Sequence, residues 1–424
     1  MSWLAQNIIN VTDTAFLGRV GEVELGDSAM GVYYICMFTI ALGFSIGSQI
    51  IIGRRNGEQN HQAIGPVVIQ GMFCGAVLAL SMFLFSMLYA GNMMRWLITS
   101  DTIWQATVDF LDWRVYGFFI SFLSVMFRAL FIGITRTRVL TLNALLMAFV
   151  NVILDYLLIF GKGGFPQMGI KGAAIASIIA EGASILFFLL YIFITVDRKK
   201  YGLIHFHSLD LRLLKQVLSI SIFTMLQYFV SMGTFFLFLG VVERLGQREL
   251  AVANIVRSIY ILMFIPVNSL SITANTLVNN IMGMEKIGQV IPLIRRIAFL
   301  ALGVMIPFSI GLCLFHHAIL SVYTNDAILL NAYLSPVYVI AIAGLFCSVS
   351  HVVFSSLSGT GNTRSALALE LIILVIYFIY IYITGIKMRV PVHICFIAEW
   401  IYFFGLLLSC IFYFRFAPWD KKKI

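Results

Sequence analysis

Asn151-Val-Ile-Leu-Asp155 sets an amide and a carboxylate four residues apart, on one face of any helix that contains them, within a run of residues that would otherwise suit lipid or a core. A carboxylate at bilayer depth is costly and by default marks a cation path or a proton relay. Asp13 is a second acid in an apolar stretch, and Ser177 is a further oxygen donor. Two carboxylates side by side cannot both stay ionised without a proton or cation between them. Asp13, Asn151, Asp155 and Ser177 together would suit sodium, by analogy with other hard cations that take oxygen ligands. They would equally suit a proton titrating the acids as a coupled pair. The residue types leave Na+ and H+ open.

The elements that must position these groups follow from composition. Of 424 residues 61% are hydrophobic and 11% charged, and the mean hydropathy is +0.97. About a quarter of an average soluble chain is charged, so the expectation is an all-α integral membrane protein. A hydrocarbon core of about 30 Å needs around 20 helical residues. Twelve stretches meet that rule, over 2–20, 28–52, 65–90, 113–134, 139–160, 170–195, 218–242, 252–281, 295–322, 335–357, 366–385 and 393–415. The organisation expected is a first lobe over 1–196, a cytoplasmic linker over 197–217, and a second lobe over 218–424. Seventeen Lys and Arg fall on one side of this layout and nine on the other: Arg54, Arg136, Lys199, Arg295 and Lys421 are among the first group, Arg19, Arg95, Arg114 and Lys171 among the second. Positive charge concentrates on the cytoplasmic side, which puts both termini there. The net charge of +9 is therefore loop-specific and gives no argument for nucleic acid. The six cysteines are scattered without a CxxC and read as packing residues.

The halves repeat each other. Arg19-Val-Gly-Glu-Val-Glu-Leu25 matches Arg244-Leu-Gly-Gln-Arg-Glu-Leu250, and Gly133-Ile-Thr-Arg-Thr-Arg138 matches Gly359-Thr-Gly-Asn-Thr-Arg364, at nearly one spacing. Six spans separate the copies, so the expectation is two pseudo-symmetric, parallel six-helix bundles with a substrate cavity between them. The exceptions to the repeat are informative. Asn151 and Asp155 fall opposite Tyr377 and Ile381, and Asp13 opposite Phe238 or Leu239. Chemistry confined to one copy serves a site rather than the scaffold. At 1.5 Å per residue, Asp13, Asp155 and Ser177 each lie about 10 Å below the outer ends of spans one, five and six.

Further polar residues extend this picture. Gln6, Asn10 and Asp13 form a stripe on span one, and Thr224, Gln227, Ser231 and Thr234 form one on span seven. Both would line a wet cavity, interhelical hydrogen bonding being the alternative. Arg257 and Arg128 are deep basic residues that pair locally or snorkel, Arg257 being a further candidate for the cavity wall. Glu181, one turn past Ser177, is expected to support it, whereas Glu370 and Glu399 have no partner legible in the sequence. Pro266 and Pro307 interrupt spans eight and nine as bend points.

Val11-Thr-Asp13-Thr-Ala-Phe-Leu-Gly18-Arg-Val-Gly21 is similar to the first-span signature of multidrug and toxic compound extrusion (MATE) transporters. Gly133-Ile-Thr-Arg-Thr-Arg138, then Asn151-xxx-Asp155 and Gly172-Ala-Ala-Ile-Ala-Ser177, resemble that family's spans four to six, in its DinF-like and prokaryotic branch. The resemblance covers essentially the whole chain. It implies an antiporter of the bacterial plasma membrane, not an enzyme, that admits sodium or protons while organic cations leave by alternating access. It further implies Asp13, Asn151, Asp155 and Ser177 as the cation site, with Ser177 where a Thr is usual. No cofactor beyond the coupling ion is implied, nor any partner beyond a small cationic substrate and membrane lipid, and a monomer suffices. Another branch of the family uses acids in spans seven and ten, where this chain offers Gln227 and His351. Family members also carry residues, including a Pro, ahead of the point where this chain starts: either the start lies upstream or the first helix lacks that hinge.

Two other functions compete. A lipid-linked oligosaccharide flippase of related architecture would need a strongly cationic cavity, for which Arg128 and Arg257 are the deep candidates. A membrane-embedded enzyme or receptor scaffold finds no HExxH, Ser-His-Asp set or nucleotide loop to support it.

Overall fold

A computed structural model of the chain describes residues 27–97, 101–203, 209–320 and 327–422. The first expected span lies outside them, and with it Gln6, Asn10 and Asp13. Among the described residues every regular element is helical. Ten helices among the described residues are long and apolar enough to cross a membrane, and a bent pair makes an eleventh if counted as one span. The chain divides by packing into two units, Met1–Phe229 and Val230–Ile424.

The first unit contains α1 (Asp27–Gly57), α2 (Ile64–Leu97), α3 (Asp101–Arg114), α4 (Gly117–Gly133), α5 (Arg138–Phe160), α6 (Gly169–Thr195) and the start of α7 (Leu211–Glu243). The second holds the rest of α7, then α8 (Gln247–Gly283), α9 (Val290–Leu314), α10 (His316–Leu320), α11 (Ala327–Gly359), α12 (Thr363–Ile381), α13 (Val392–Cys395) and α14 (Ile397–Phe416). Span seven starts at Leu211, inside the stretch expected to be linker. There Asp210 Oδ1 accepts from the amides of Arg212 (2.8 Å) and Leu213 (3.4 Å), satisfying first-turn donors that would otherwise be orphaned. Span four is broken near its start, with the two helices meeting at 54°. All six cysteines are free, four of them buried.

The duplication extends to backbone detail. α1 ends at Gly57 and α8 at Gly283; each is followed by a short 3-10 turn, His61–Ala63 and Ile287–Gln289, before α2 and α9 begin. The turn between uses the left-handed region at equivalent residues, Gln59 and Glu285, both at φ 58°. Thr135 (φ 61°) and Gly361 (φ 91°) correspond in the same way after α4 and α11. The glycines of the repeated motif also share a task. A Cβ on Gly133 would sit 2.5 Å from Ile52 Cγ2 on α1, and one on Gly359 would sit 2.6 Å from the Asn275 carbonyl on α8. Close helix approach through small residues is the usual means of packing in lipid, where no hydrophobic drive separates protein from solvent.

The break between α3 and α4 is organised by an ion pair. Arg114 donates to both carboxylate oxygens of Glu181 on α6, through Nη2 to Oε1 at 2.5 Å and Nη1 to Oε2 at 3.4 Å. Its guanidinium lies 3.7 Å above the Tyr34 ring. That ring in turn stacks on Phe118 with centroids 5.0 Å apart. Gly117 makes room for the pair, because a Cβ there would collide with the guanidinium and come within 3.4 Å of Glu181 Oε2. Arg114 is nearly buried and Glu181 partly so, at 9% and 17% side-chain exposure. In such surroundings removing one partner strands the other charge.

Gly359→Ala should destabilise the detergent-solubilised protein by about 1–3 kcal/mol, because the obstructing atom is backbone, whereas Gly303→Ala, with open space around its Cβ, should leave the thermal midpoint unchanged or slightly raised. Glu181→Leu alone should cost about 3–5 kcal/mol, and the double change Arg114→Met/Glu181→Leu distinctly less. A thermodynamic cycle on midpoints that proved additive would show the pair to be uncoupled.

Candidate functional site

α5 and α6 form the site, and their spacing is set by small residues. A Cβ on Gly172 would lie 2.8 Å from the Leu158 carbonyl carbon, and Ala173, Ala174, Ala176 and Ala180 are buried along the same helix. α5 closes with Gly161 in the left-handed conformation, φ 66°, as suits a glycine past a helix end. The Met168 amide then returns to the Leu158 carbonyl at 2.9 Å. At the other end of the pair Asn143 Nδ2 donates to Ser184 Oγ at 2.8 Å. These two bonds fix an antiparallel register.

On that register Asn143, Met147, Asn151 and Asp155 recur every fourth residue along one stripe of α5. Asn151 and Asp155 are both wholly buried, at 0% exposure. Ser177 comes level with Asn151 on the facing helix and is half-buried. Asn151 finds no hydrogen-bond partner for its amide among the described residues. A buried amide that could accept and donate is left open beside a buried acid, which is what an oxygen-ligand cation site or a proton acceptor requires.

The same stripe continues into a pocket of about 50 Å³ whose lining includes Phe38 of α1, Ser121, Ser124 and Arg128 of α4, Asn143 and Met147 of α5, and Glu181 and Ser184 of α6. Glu181, expected to support Ser177, is instead held by Arg114 and by the Ser121 hydroxyl, which donates to Oε2 at 2.7 Å. Since that proton is committed, Tyr34 donates to Ser121 in turn, at 2.7 Å. Arg114, counted with the loop cations, is a buried residue at 8% exposure.

The stripe on α7 meets several partners. Thr224 is buried and donates to the Gly43 and Ser221 carbonyls at 2.6 and 2.9 Å. Thr234 donates to the Val230 carbonyl at 2.9 Å. Ser231 donates to Glu370 Oε1 at 2.6 Å. Gln227 is half-buried, with Oε1 unpartnered among the described residues. Arg257 lies with its guanidinium carbon 5.8 Å from the Phe235 ring centre, and its Nε is buried without a partner among the described residues.

The second unit supplies partners for acids that had none legible in the sequence. Glu370, at 1% exposure, also accepts from the Tyr402 hydroxyl at 2.9 Å, and Glu399 accepts from Tyr377 at 3.1 Å. The two tyrosine rings meet edge-on, 6.1 Å apart. His351 packs edge-on against Phe264 and tilted against Phe403. Asn143 and Ser184 were the residues missed that periodicity alone could have found: Asn143 lies two i, i+4 steps before Asn151, and Ser184 lies seven residues past Ser177.

With this geometry in place, comparison with known proteins is direct. The MatE family profile matches residues 1–157 and, a second time, 221–383, which restates the internal duplication. Among curated relatives, a protein of Thermotoga maritima named "probable multidrug resistance protein NorM" is 26% identical over 366 residues, covering 84% of this chain and 77% of its own. A protein of the same name from Synechocystis sp. is 26% identical over 313 residues, covering 72% of this chain and 66% of its own. Solved structures share the fold at low identity. One described as an outward-facing conformation of a multidrug resistance MATE family transporter superposes with a TM-score of 0.89 at 16% identity, covering 100% of this chain and 94% of that one. A transporter from Pyrococcus furiosus, described as having a binding pocket of reverse polarity, reaches 0.87 at 15% identity, with 99% and 94% covered. The chain therefore belongs to the MatE family of multidrug efflux transporters, multi-pass membrane proteins and not enzymes, in the two-lobed all-α fold of MATE proteins.

Proposed function

We propose that this chain is a cation-coupled antiporter of the bacterial plasma membrane, with both termini cytoplasmic, which admits Na+ or H+ and exports organic compounds carrying a cationic group. The observation that carries the reading is the full burial of Asp155 one turn from the open amide of Asn151, on the stripe of α5 that runs into a pocket whose lining includes Arg128, Glu181 and three serines. A carboxylate in that position is costly to keep charged and binds a proton or a small cation according to conditions. Asn151 and Ser177 are the proposed neighbouring ligands. Asp13 is the proposed second acid on the strength of its sequence pattern alone. One charge entering down 100 mV supplies about 2.3 kcal/mol, enough to drive an outward gradient of roughly fifty-fold when a single uncompensated charge moves per cycle.

Dye efflux from proteoliposomes, with sodium and pH gradients imposed separately, tests the coupling and identifies the ion. Asp155→Asn and Asp13→Asn should each abolish gradient-driven efflux while the protein still inserts. Asn151→Ala should raise the half-saturating sodium concentration about tenfold if sodium is the ion, the loss of one ligand to a charged group being worth about 1.5 kcal/mol. Gradient-driven efflux that persisted in both acid variants would overturn the coupling.

A further inference from the structure

Beyond α14 the chain of the second unit folds back and sets two cations side by side. The Ala417 amide donates to the Tyr413 carbonyl at 2.9 Å, and the Trp419 amide to the Ala417 carbonyl at 2.9 Å. The Trp419 ring lies edge-on to Phe414, with centroids 5.4 Å apart, and its Nε1 donates to the Phe414 carbonyl at 2.9 Å. It packs against a buried apolar cluster to which α8, α9, α11, α12 and α14 all contribute. Two bonds tie this turn to the start of α12. Asn362 Nδ2 donates to the Trp419 carbonyl at 2.8 Å, and the Tyr413 hydroxyl donates to Ser365 Oγ at 2.9 Å. Lys422 is thereby held, half-buried, within electrostatic range of the exposed Arg364. Its burial, and then the charge of Arg364, push its ammonium below the ordinary lysine range. Among the described residues neither cation has an ion-pair partner, and Asp420, the acid of the turn, pairs with neither.

Like charges so placed repel, and half-burying one of them adds a desolvation cost. An anion that meets both together relieves both costs through charge-assisted hydrogen bonds. The first unit treats its matching end differently. There the chain leaving α6 runs to the turn before α2, where the Gly65 amide donates to the Tyr201 carbonyl at 2.8 Å. The folded-back turn is therefore particular to one copy and is no requirement of the scaffold. The surroundings identify the anion. Leu371 and Ile372 of α12 and Phe412 and Phe416 of α14 are exposed apolar side chains within about three helical turns of this end. Tryptophan sits by preference at headgroup level, and basic pockets between helices on the cytoplasmic side take anionic lipid headgroups. That side is the one proposed above for this end of the bundle. A soluble phosphate would meet the two cations and leave the apolar side chains uncovered. We infer that Arg364 and Lys422 bind the phosphodiester of an anionic phospholipid whose acyl chains lie against the exposed apolar residues of α12 and α14. The inference goes beyond the coupling reading and does not depend on it.

Native mass spectrometry of the purified full chain in neutral detergent tests it, with short-chain phosphatidylglycerol and phosphatidylcholine titrated in competition. No ion gradient enters, so a failure of coupling at Asp155 leaves the measurement intact. Phosphatidylglycerol should be retained roughly thirtyfold more strongly than phosphatidylcholine, as two cations near a membrane surface imply. Arg364→Gln and Lys422→Gln should each leave a preference of roughly fivefold, and the double variant none. The lipid-free thermal midpoint should stay at its wild-type value in all three, since neither side chain belongs to the core. Arg415→Gln separates a site from diffuse surface charge. That guanidinium lies 5.5 Å from the Phe416 ring centre, and its loss should keep the full preference. sn-Glycerol 3-phosphate carries the headgroup chemistry without acyl chains and should not displace the lipid at millimolar concentration. Equal retention of the two lipids by wild type refutes the assignment whatever the variants do. So would an undiminished preference in the double variant, an equal loss in Arg415→Gln, or displacement of the lipid by glycerol phosphate.

Discussion

A polar group inside a lipid-embedded bundle must be answered by another group of the same bundle, because the surroundings offer neither water nor counter-ions. Much of the first unit follows from that requirement. Arg114 and Glu181 answer each other and tie α3 to α6 across a break in span four, with Gly117 absent a side chain so that the pair fits. Ser121 and Tyr34 complete the carboxylate's shell in a chain of donors. Where a group is left open among the described residues, as at Asn151, Asn143 Oδ1 and Arg128, the exception stands out against that background. Arg128 and Asn143 line the same pocket, and Asn151 lies about two turns further along α5.

The duplication separates scaffold from chemistry. Left-handed turns, helix ends and close-approach glycines recur in both halves. The charged and amide side chains set deep in the spans do not. Asn151 and Asp155 correspond to Tyr377 and Ile381, Arg128 to Phe354 and Glu181 to Leu407. The second unit has placed acids elsewhere on the same framework: Glu370 corresponds to Ala144 and Glu399 to Ala173. They are met by tyrosine hydroxyls instead of by a guanidinium. A phenol answers a carboxylate with one hydrogen bond and no charge, so the second unit holds acids with no cationic partner within salt-bridge distance among the described residues. The two copies thus share a backbone solution while differing in electrostatics.

Most of the architecture was legible because it depends on local quantities. Span lengths, the repeat and the stripe on α5 are matters of hydropathy and of i, i+4 spacing. The start of α7 at Leu211 was missed because a run of charge reads as loop until the Asp210 cap is recognised as a helix start. The partners of Glu181 and Glu370 were illegible for a different reason. Arg114 lies 67 residues from Glu181 and Ser231 lies 139 from Glu370, and sequence carries no information about which helix faces which. Arg128 shows the same limit: its depth could be read, but only packing reveals that the neighbouring acid is already taken by Arg114.

The α5 stripe also constrains the sense of coupling. From Met147 in the pocket to Asp155 is eight residues, or about 12 Å of helix. At that separation two unit charges interact by about 1 kcal/mol for an effective dielectric constant near 20. A cation arriving at Asp155 removes a negative charge and so strengthens the pull of Arg128 on any anion. A purely anionic cargo would then bind with the ion, which is co-transport. A cargo whose positive group competes for Asp155 would exclude the ion instead, which is the condition the proposed exchange requires.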